Sequence, residues 1–266
     1  MAEIVRVAVN GATGRMGRAL LDLLRRDQRF DLVAAITAPD APEMGAPVAH
    51  GSRLCFTHDW SAAGPLDVVI DFSGPEGLAA ALRHCEANGV ALVVGTTGSG
   101  DDLTRRLDAA TARIPVLRAA NFSLGVAVLA RLLREAAAAL ADWDLEIIEA
   151  HHGRKEDAPS GTALVLGESA ARSRGVSLDA QAVYAREGRT GPRPSGAIGF
   201  AVVRGGDIVG EHTAMLIGQG ERLELSHRAT DRSIFARGAI EAAHWLAGKP
   251  AGSYGLDAML AERGSR

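Results

Sequence analysis

A glycine-rich turn wedged between a β-rich run and a helical pattern, Gly11-Ala12-Thr13-Gly14-Arg15-Met16-Gly17, constrains this chain more than any other feature. Before it, Val5-Arg6-Val7-Ala8-Val9 reads as a strand, and after it Met16 to Arg26 reads as a helix. Such a turn lets backbone N–H groups approach a pyrophosphate, and the positive end of the helix macrodipole favours the charge. The spacing is GxxGxxG, with Thr13 in the middle glycine position of the usual GxGxxG. A glycine turn without a ligand has the same letters, but the strand–turn–helix setting favours a dinucleotide. Gly11, Ala12, Thr13, Gly14, Arg15 and Met16 are therefore candidate cofactor-binding residues.

The following segments repeat the pattern. Strands are expected at Asp31 to Ile36, Asp67 to Phe72, Ala91 to Val94 and Ile114 to Leu117, with helices at Glu76 to Asn88 and Asp101 to Ala112. Near-continuous apolar strands alternating with helices indicate an α/β fold with a Rossmann-like, doubly wound parallel sheet. After Asn121-Phe122-Ser123 the pattern changes. A long Ala/Leu helix from about Gly125 to Trp143, a strand from Leu145 to Ala150, a polar loop and a helix from Thr162 to Arg174 come first. Strands at Gln181 to Arg186, Ala197 to Arg204, Ile208 to Ile217 and Arg222 to His227 then follow without intervening helices. Gly205-Gly206-Asp207 and Gly218-Gln219-Gly220 supply turn chemistry for hairpins, so a second α+β domain built on a mixed or antiparallel sheet is expected. Ser233 to Leu246 reads as a final long helix.

Composition excludes several classes. A formal net charge of -3 over 266 residues is too mild for a chain whose main partner is nucleic acid or an anionic membrane. No apolar stretch reaches membrane-spanning length, and the N-terminus lacks a leader pattern. Cys55 and Cys85 alone imply no disulfide framework, which fits a reducing cytoplasm.

The chemistry concentrates in Glu149-Ala150-His151-His152-Gly153-Arg154-Lys155-Glu156-Asp157-Ala158-Pro159-Ser160-Gly161-Thr162-Ala163, a loop between a strand and a helix. Ser160, Gly161 and Thr162 offer hydroxyl and backbone donors at a helix start, where carboxylates bind, and Arg154, Lys155 and the histidines add positive charge. Each residue has a plainer reading: Ser160 as a helix cap, Lys155 as a solvated side chain, one histidine as structural. Taken together they describe a site for a small polyanion. No helical HxxxH pair or cysteine accompanies the histidines, so no metal is expected.

His-His-x-x-Lys followed by Asp-Ala-Pro-Ser-Gly-Thr-Ala closely resembles the signature of the dihydrodipicolinate reductase family. Further matches are Gly14-Arg15-Met16-Gly17, Gly95-Thr96-Thr97-Gly98, Ala120-Asn121-Phe122-Ser123 and Gly205-Gly206-Asp207-Ile208-Val209-Gly210-Glu211-His212-Thr213, so the resemblance covers nearly the whole chain. It implies reduction of 4-hydroxy-tetrahydrodipicolinate, a small cyclic dicarboxylate, with loss of water, in lysine and diaminopimelate synthesis. His151 and Lys155 match the family's acid/base residues, Lys155 as proton donor. His152, Lys155, Ser160, Gly161 and Thr162 match its carboxylate-binding set. Gly95, Thr96, Thr97, Ala119, Ala120, Asn121 and Phe122 would join the turn in binding NADPH or NADH. The resemblance also implies a cofactor domain over 1–122 completed by 232–266, a substrate and assembly domain over 123–231, and a homotetramer.

This chain departs from the family pattern in places. It reads His151-His152-Gly153-Arg154-Lys155 where His-His-Arg-His-Lys is common, Thr37 stands where an acid often follows the second strand, and Gly74 where a basic residue is frequent. Asp40 has two readings, ribose ligand or turn residue, and Gly95 to Gly98 likewise, nicotinamide-facing or merely permissive. The choice between NADH and NADPH stays open. Two rival functions remain: an NADP-sensing regulatory protein, which has no use for the histidine–lysine loop, and a reductase of another cyclic imine. A short-chain dehydrogenase is excluded, because neither Tyr184 nor Tyr254 has a lysine four residues on.

Overall fold

The computed structural model describes residues 4–98 and 100–264. Leu124–Arg232 form one compact unit, and the segments on either side of it form the other. The ends of the expected cofactor domain, residues 1–3 and 265–266, lie outside the described residues.

The first unit begins with β1 (Val5–Asn10), α1 (Arg15–Leu24), β2 (Phe30–Ile36), β3 (Phe56–Thr57) and β4 (Val68–Asp71). It continues with α2 (Pro75–Asn88), β5 (Ala91–Val94), α3 (Gly100–Ala110) and β6 (Pro115–Arg118). The second unit contains α4 (Leu124–Ala139), β7 (Asp144–His151), α5 (Gly161–Ser173), α6 (Leu178–Gln181), β8 (Ala182–Val183), β9 (Ile198–Arg204), β10 (Gly210–Ile217) and β11 (Arg222–Ala229). The chain then returns to the first unit with α7 (Ser233–Leu246), β12 (Gly252–Tyr254) and α8 (Leu256–Gly264).

The first unit's sheet runs β12-β6-β5-β4-β1-β2-β3, and every pair in it is parallel. All residues of β4 and β5 are buried, as apolar strands covered on both faces must be. Leu78 and Leu82 of α2 and Leu103 and Leu107 of α3 pack on Ala8, Val69, Leu92 and Val116. The alternate residues, such as Val7, Val68 and Val93, face the other way, where α1 and α7 pack. Leu20, Leu21 and Leu24 line one stripe of α1, and burying each contributes roughly 1.5–3 kcal/mol. Because β2 lies on one side of β1 and β4 on the other, the chain reverses its winding at β1 and opens a crevice at the carboxyl ends of these strands.

The second sheet runs β11-β10-β7-β9-β8, with β7, β9 and β8 mutually parallel and β10 antiparallel to both β7 and β11. Leu129 and Leu133 of α4 and Leu166 of α5 cover one face through Leu145, Ile147, Phe200, Ala214 and Leu216.

Three expectations need correction. Gly205-Gly206-Asp207 does not close a hairpin: β9 and β10 run in opposite directions, but β7 lies between them. Turn residues report a reversal of the chain, not which strand fills the gap. The connection crosses the end of β7 instead, with Gly205 N–H donating to His151 O at 3.0 Å and Gly153 N–H to Gly206 O at 3.3 Å. The strand expected at Gln181 to Arg186 shrinks to Ala182–Val183, because Leu178–Gln181 is helical and Arg186 leaves the sheet to pair with Glu146. The long helix stops at Ala139, short of Trp143. The edge strand β12 and α8 carry too little periodic signal to be read from sequence.

Candidate active site

The glycine turn is built for close approach. Gly11 has φ +79°, and a Cβ there would stand 2.4 Å from Phe72 O. Gly11 and Ala12 N–H both donate to Ile36 O, at 3.0 and 2.9 Å, which ties the turn to the end of β2. A Cβ on Gly17 would lie 2.2 Å from Gly11 O, so α1 starts hard against the turn. The cap residue Gly14 offers no side-chain hydrogen bond and no acid stands in the first turn, so the first amides of α1 have no side-chain acceptor. Gly11, Thr13, Gly14, Thr37 and Phe72 line a cavity of about 690 Å³. Unpaired amides at a helix start beside a glycine cradle fit a dinucleotide pyrophosphate. Ala12 is wholly buried behind them, while Arg15 and Met16 occupy the first turn of α1.

Thr37 Oγ1 lies 2.7 Å from Thr13 Oγ1, so the turn after β2 presents paired hydroxyls to the cavity rather than a carboxylate. Thr96, Thr97, Ala119 and Ala120 line a second cavity of about 310 Å³ at the ends of β5 and β6. Asn121 turns its Oδ1 back onto Ser123 N–H at 2.8 Å, and Phe122 is 2% exposed against the Phe72 ring. Both brace the loop. Beneath it lies Asp71, fully buried, accepting from Asn10 Nδ2 at 2.6 Å, Ser73 Oγ at 2.6 Å and Thr96 Oγ1 at 2.5 Å. Burial pushes its carboxyl up, against the pull of these three donors.

In the second unit, alternate residues of β7 share a face: Leu145 and Ile147 enter the core, while Glu149 and His151 continue the row as polar groups. Glu149 Oε2 lies 2.6 Å from His151 Nδ1, and the Arg204 fork reaches both Glu149 oxygens at 2.7 and 2.8 Å. Ser160 caps α5 by accepting from Ala163 N–H at 3.2 Å, while its own N–H donates to Glu149 Oε1 at 3.0 Å. Its Oγ also lies 2.9 Å from Nε2 of His212, whose ring stands edge-on to His151 with centroids 5.2 Å apart. Ser160 is 2% exposed, so Gly161 and Thr162 form the accessible part of this helix start. Lys155 Nζ sits 2.7 and 2.8 Å from the two oxygens of Asp157, and Arg232 Nη2 donates to His152 Nε2 at 3.1 Å. Gly153 and Arg154 are exposed.

Burial and the nearby His151 push His212 down to about 4, so it is neutral at physiological pH. Desolvation, with Arg154 and Arg232 beside it, lowers His152 as well. Burial alone would raise Glu149, but Arg204, His151 and the Ser160 N–H outweigh it and hold the carboxyl below its ordinary 4.5. A depressed carboxyl stabilises the fold above its unfolded value and ceases to do so as pH falls through the folded one. Glu146, Glu241 and Asp67 are shifted the same way. The depressed histidines act earlier: as pH drops through about 6.5 the unfolded chain protonates them and the folded one does not, so the melting temperature is expected to fall from about pH 6.5 and to fall further below about pH 4.5. Thermal melts across that range check this, and a protein that grows more stable on acidification would contradict it.

Among the described residues, no three His, Cys, Asp or Glu side chains are arranged to hold a metal ion. No helix among them is long and apolar enough to cross a membrane.

The family described as "Dihydrodipicolinate reductase, N-terminus" matches residues 5–122, and "Dihydrodipicolinate reductase, C-terminus" matches residues 125–260. The chain belongs to the dihydrodipicolinate reductase family. A 4-hydroxy-tetrahydrodipicolinate reductase of Caulobacter vibrioides is 48% identical over 263 residues, 98% of each chain. One of Alkalilimnicola ehrlichii is 46% identical, covering 96% of this chain and 98% of its own. The fold matches that of the dipicolinate-bound dihydrodipicolinate reductase from Paenisporosarcina sp. TG-14, with a TM-score of 0.77 at 22% identity, over 95% of this chain and 97% of that one.

The residues that hold the site together, Glu149, His212, Arg204 and Arg232, are not among those the sequence singles out. Glu149 stands two positions before His151, the strand spacing that places both on one face, and so was within reach. His212 lies inside a matched motif. Register places it opposite Glu149 on β10, and register is not written in any single segment. Arg204 and Arg232 come from other elements and carry no local signal.

Proposed function

We propose that the chain reduces 4-hydroxy-tetrahydrodipicolinate to tetrahydrodipicolinate, with loss of water, in lysine and diaminopimelate biosynthesis. One hydride and one proton enter and one water leaves. The observation that carries this reading is the convergence in the second unit of an acid/base imidazole, His151 on Glu149, with a capped helix start and the ammonium of Lys155. Full-length relatives named for this activity support it.

Gly161 and Thr162 at the start of α5 suit a substrate carboxylate, with Lys155 and His152 as charge-assisted partners. NADPH or NADH, held by Gly11, Thr13 and Gly14 and the loops at Thr96 and Ala120, supplies the hydride when bound. Hydride addition to a conjugated imine leaves an electron-rich carbon–nitrogen system, which Lys155 protonates while His151 completes the acid/base set. Fixing the two carboxylates orients the ring for both transfers.

Residues 1–122 with 232–266 serve as the cofactor domain in this reading, and 123–231 as the substrate and assembly domain. The sheet face opposite α4 and α5 carries Ile148, Met215 and Val203, the last 49% exposed, and supports assembly into a homotetramer. Free Cys55 and Cys85 suit a cytoplasmic enzyme.

The assay is consumption of NADH and NADPH with freshly generated 4-hydroxy-tetrahydrodipicolinate, beside a panel of other cyclic imines. Preference for the dicarboxylate is expected, and faster reduction of a different imine would overturn the assignment.

The paired hydroxyls of Thr13 and Thr37 neither repel a 2′-phosphate nor chelate a ribose diol as a carboxylate does. Thr37→Asp is therefore expected to raise the NADH:NADPH ratio of kcat/KM by roughly 10-fold or more. An unchanged ratio would show that the ribose lies elsewhere.

A further inference from the structure

Glu149 is the point at which the proposed chemistry and the proposed anion site meet. Its side chain is 0% exposed. Oε2 receives His151 Nδ1 at 2.6 Å and Arg204 Nη1 at 2.7 Å, while Oε1 receives Arg204 Nη2 at 2.8 Å and the Ser160 N–H at 3.0 Å. An ionised carboxylate accepts hydrogen bonds and donates none, so Nδ1 of His151 carries a proton and Nε2 is the atom left for chemistry. The Ser160 amide held by the same carboxylate begins the turn that presents Gly161 and Thr162. Arg204 extends the frame by donating to Asp157 O at 2.8 Å, two residues beyond Lys155.

We propose that Glu149 is a positioning residue, fixing the tautomer and orientation of His151 and tying both to the start of α5. This rests on the reading that His151 meets the substrate. The competing role is that of a mere ion-pair partner for Arg204, and the two make different predictions.

In Glu149→Gln, the new amide N–H₂ must face one of the present donors. Neither the guanidinium nor a backbone N–H can become an acceptor, whereas His151 can, by moving its proton to Nε2. Either position sets the amide N–H₂ against one Arg204 donor; at Oε1 it would also meet the Ser160 N–H, but at Oε2 it meets His151, so it settles there and reverses the tautomer while the amide oxygen still accepts from Ser160. Arg204→Lys gives up the fork but keeps a cation beside the buried carboxylate, which stays ionised against Nδ1.

Solid-state ¹⁵N spectra of histidine-labelled protein, with His151→Gln for assignment, read the tautomer without any substrate. The wild type is expected to show Nδ1–H and Glu149→Gln to show Nε2–H, with Arg204→Lys like the wild type. In turnover, kcat of Glu149→Gln is expected to fall by roughly 10²-fold or more, with substrate KM and nucleotide Kd within about threefold. Arg204→Lys is expected to lose less kcat than Glu149→Gln, provided melts show both variants folded. Nε2–H at His151 in the wild type would overturn the proposal with no variant needed. So would an unchanged tautomer and kcat in Glu149→Gln, or equal losses of kcat in the two variants. A wild type that shows Nδ1–H but turns over no substrate would instead refute the assigned reaction.

Discussion

Replacing Lys155 with alanine is expected to lower kcat by roughly 10²–10³-fold while NAD(P)H affinity stays within about twofold. The ammonium is held by both oxygens of Asp157, yet that carboxylate is 62% exposed while Lys155 is 20% exposed. A pair with so exposed a carboxylate contributes little to stability, so under the proposed reading a substrate carboxylate would displace Asp157 at small cost. In that reading the lysine is held in reserve rather than locked into the fold. Asp157→Asn serves as the control: it frees the ammonium without removing it and is expected to leave kcat within about threefold. Steady-state kinetics and nucleotide titration measure both variants. A normal rate in Lys155→Ala would remove it as the proton donor, and weakened nucleotide binding would show that the variant disturbed more than the loop.

Gly11→Ala is expected to abolish useful nucleotide binding, weakening Kd by roughly 10²-fold or more, and to cost about 2–5 kcal/mol of stability. Two effects add. The φ of +79° is one that an alanine rarely adopts, and its Cβ would meet Phe72 O at 2.4 Å, Phe72 C at 2.7 Å and Ser73 Cα at 2.8 Å. All three are backbone atoms, so no side chain can swing aside. Relief requires separating the turn after β1 from the end of β4, which opens the cradle itself. Gly14→Ala is the mild counterpart, with φ -69° and its nearest contact, Gly11 O, at 3.2 Å. Calorimetric titration with both nicotinamide cofactors separates the pair. Wild-type affinity in Gly11→Ala would mean that the turn does not carry the pyrophosphate.

What was legible in the sequence was whatever the physics makes local. Val7 to Gly17 declares a strand, a turn and a helix in eleven consecutive residues, and β4 and β5 announce burial on both faces by being apolar throughout. The loop from His151 to Thr162 could be found because a cap, an ammonium and an imidazole pair fall within one short segment. Contacts between distant segments could not be read that way. Gly205-Gly206-Asp207 marks a reversal equally well whether β9 pairs with β10 or, as here, β7 lies between. The Arg204 fork on Glu149 and the His212 ring on Ser160 bridge 55 and 52 positions, and only the strand order brings them together. The closing edge strand β12 spans Gly252-Ser253-Tyr254, too short for any alternation to register.

The proposed reaction makes one direct demand: a hydride from the nicotinamide must end on the ring of 4-hydroxy-tetrahydrodipicolinate as water leaves. Turnover of freshly generated 4-hydroxy-tetrahydrodipicolinate with NADPH and NADH carrying two deuteriums at C4, followed by mass spectrometry, tests it directly. Tetrahydrodipicolinate carrying one deuterium, formed in step with cofactor oxidation, is the expected result. Folded protein that binds nucleotide yet yields no labelled product with either cofactor would contradict the account.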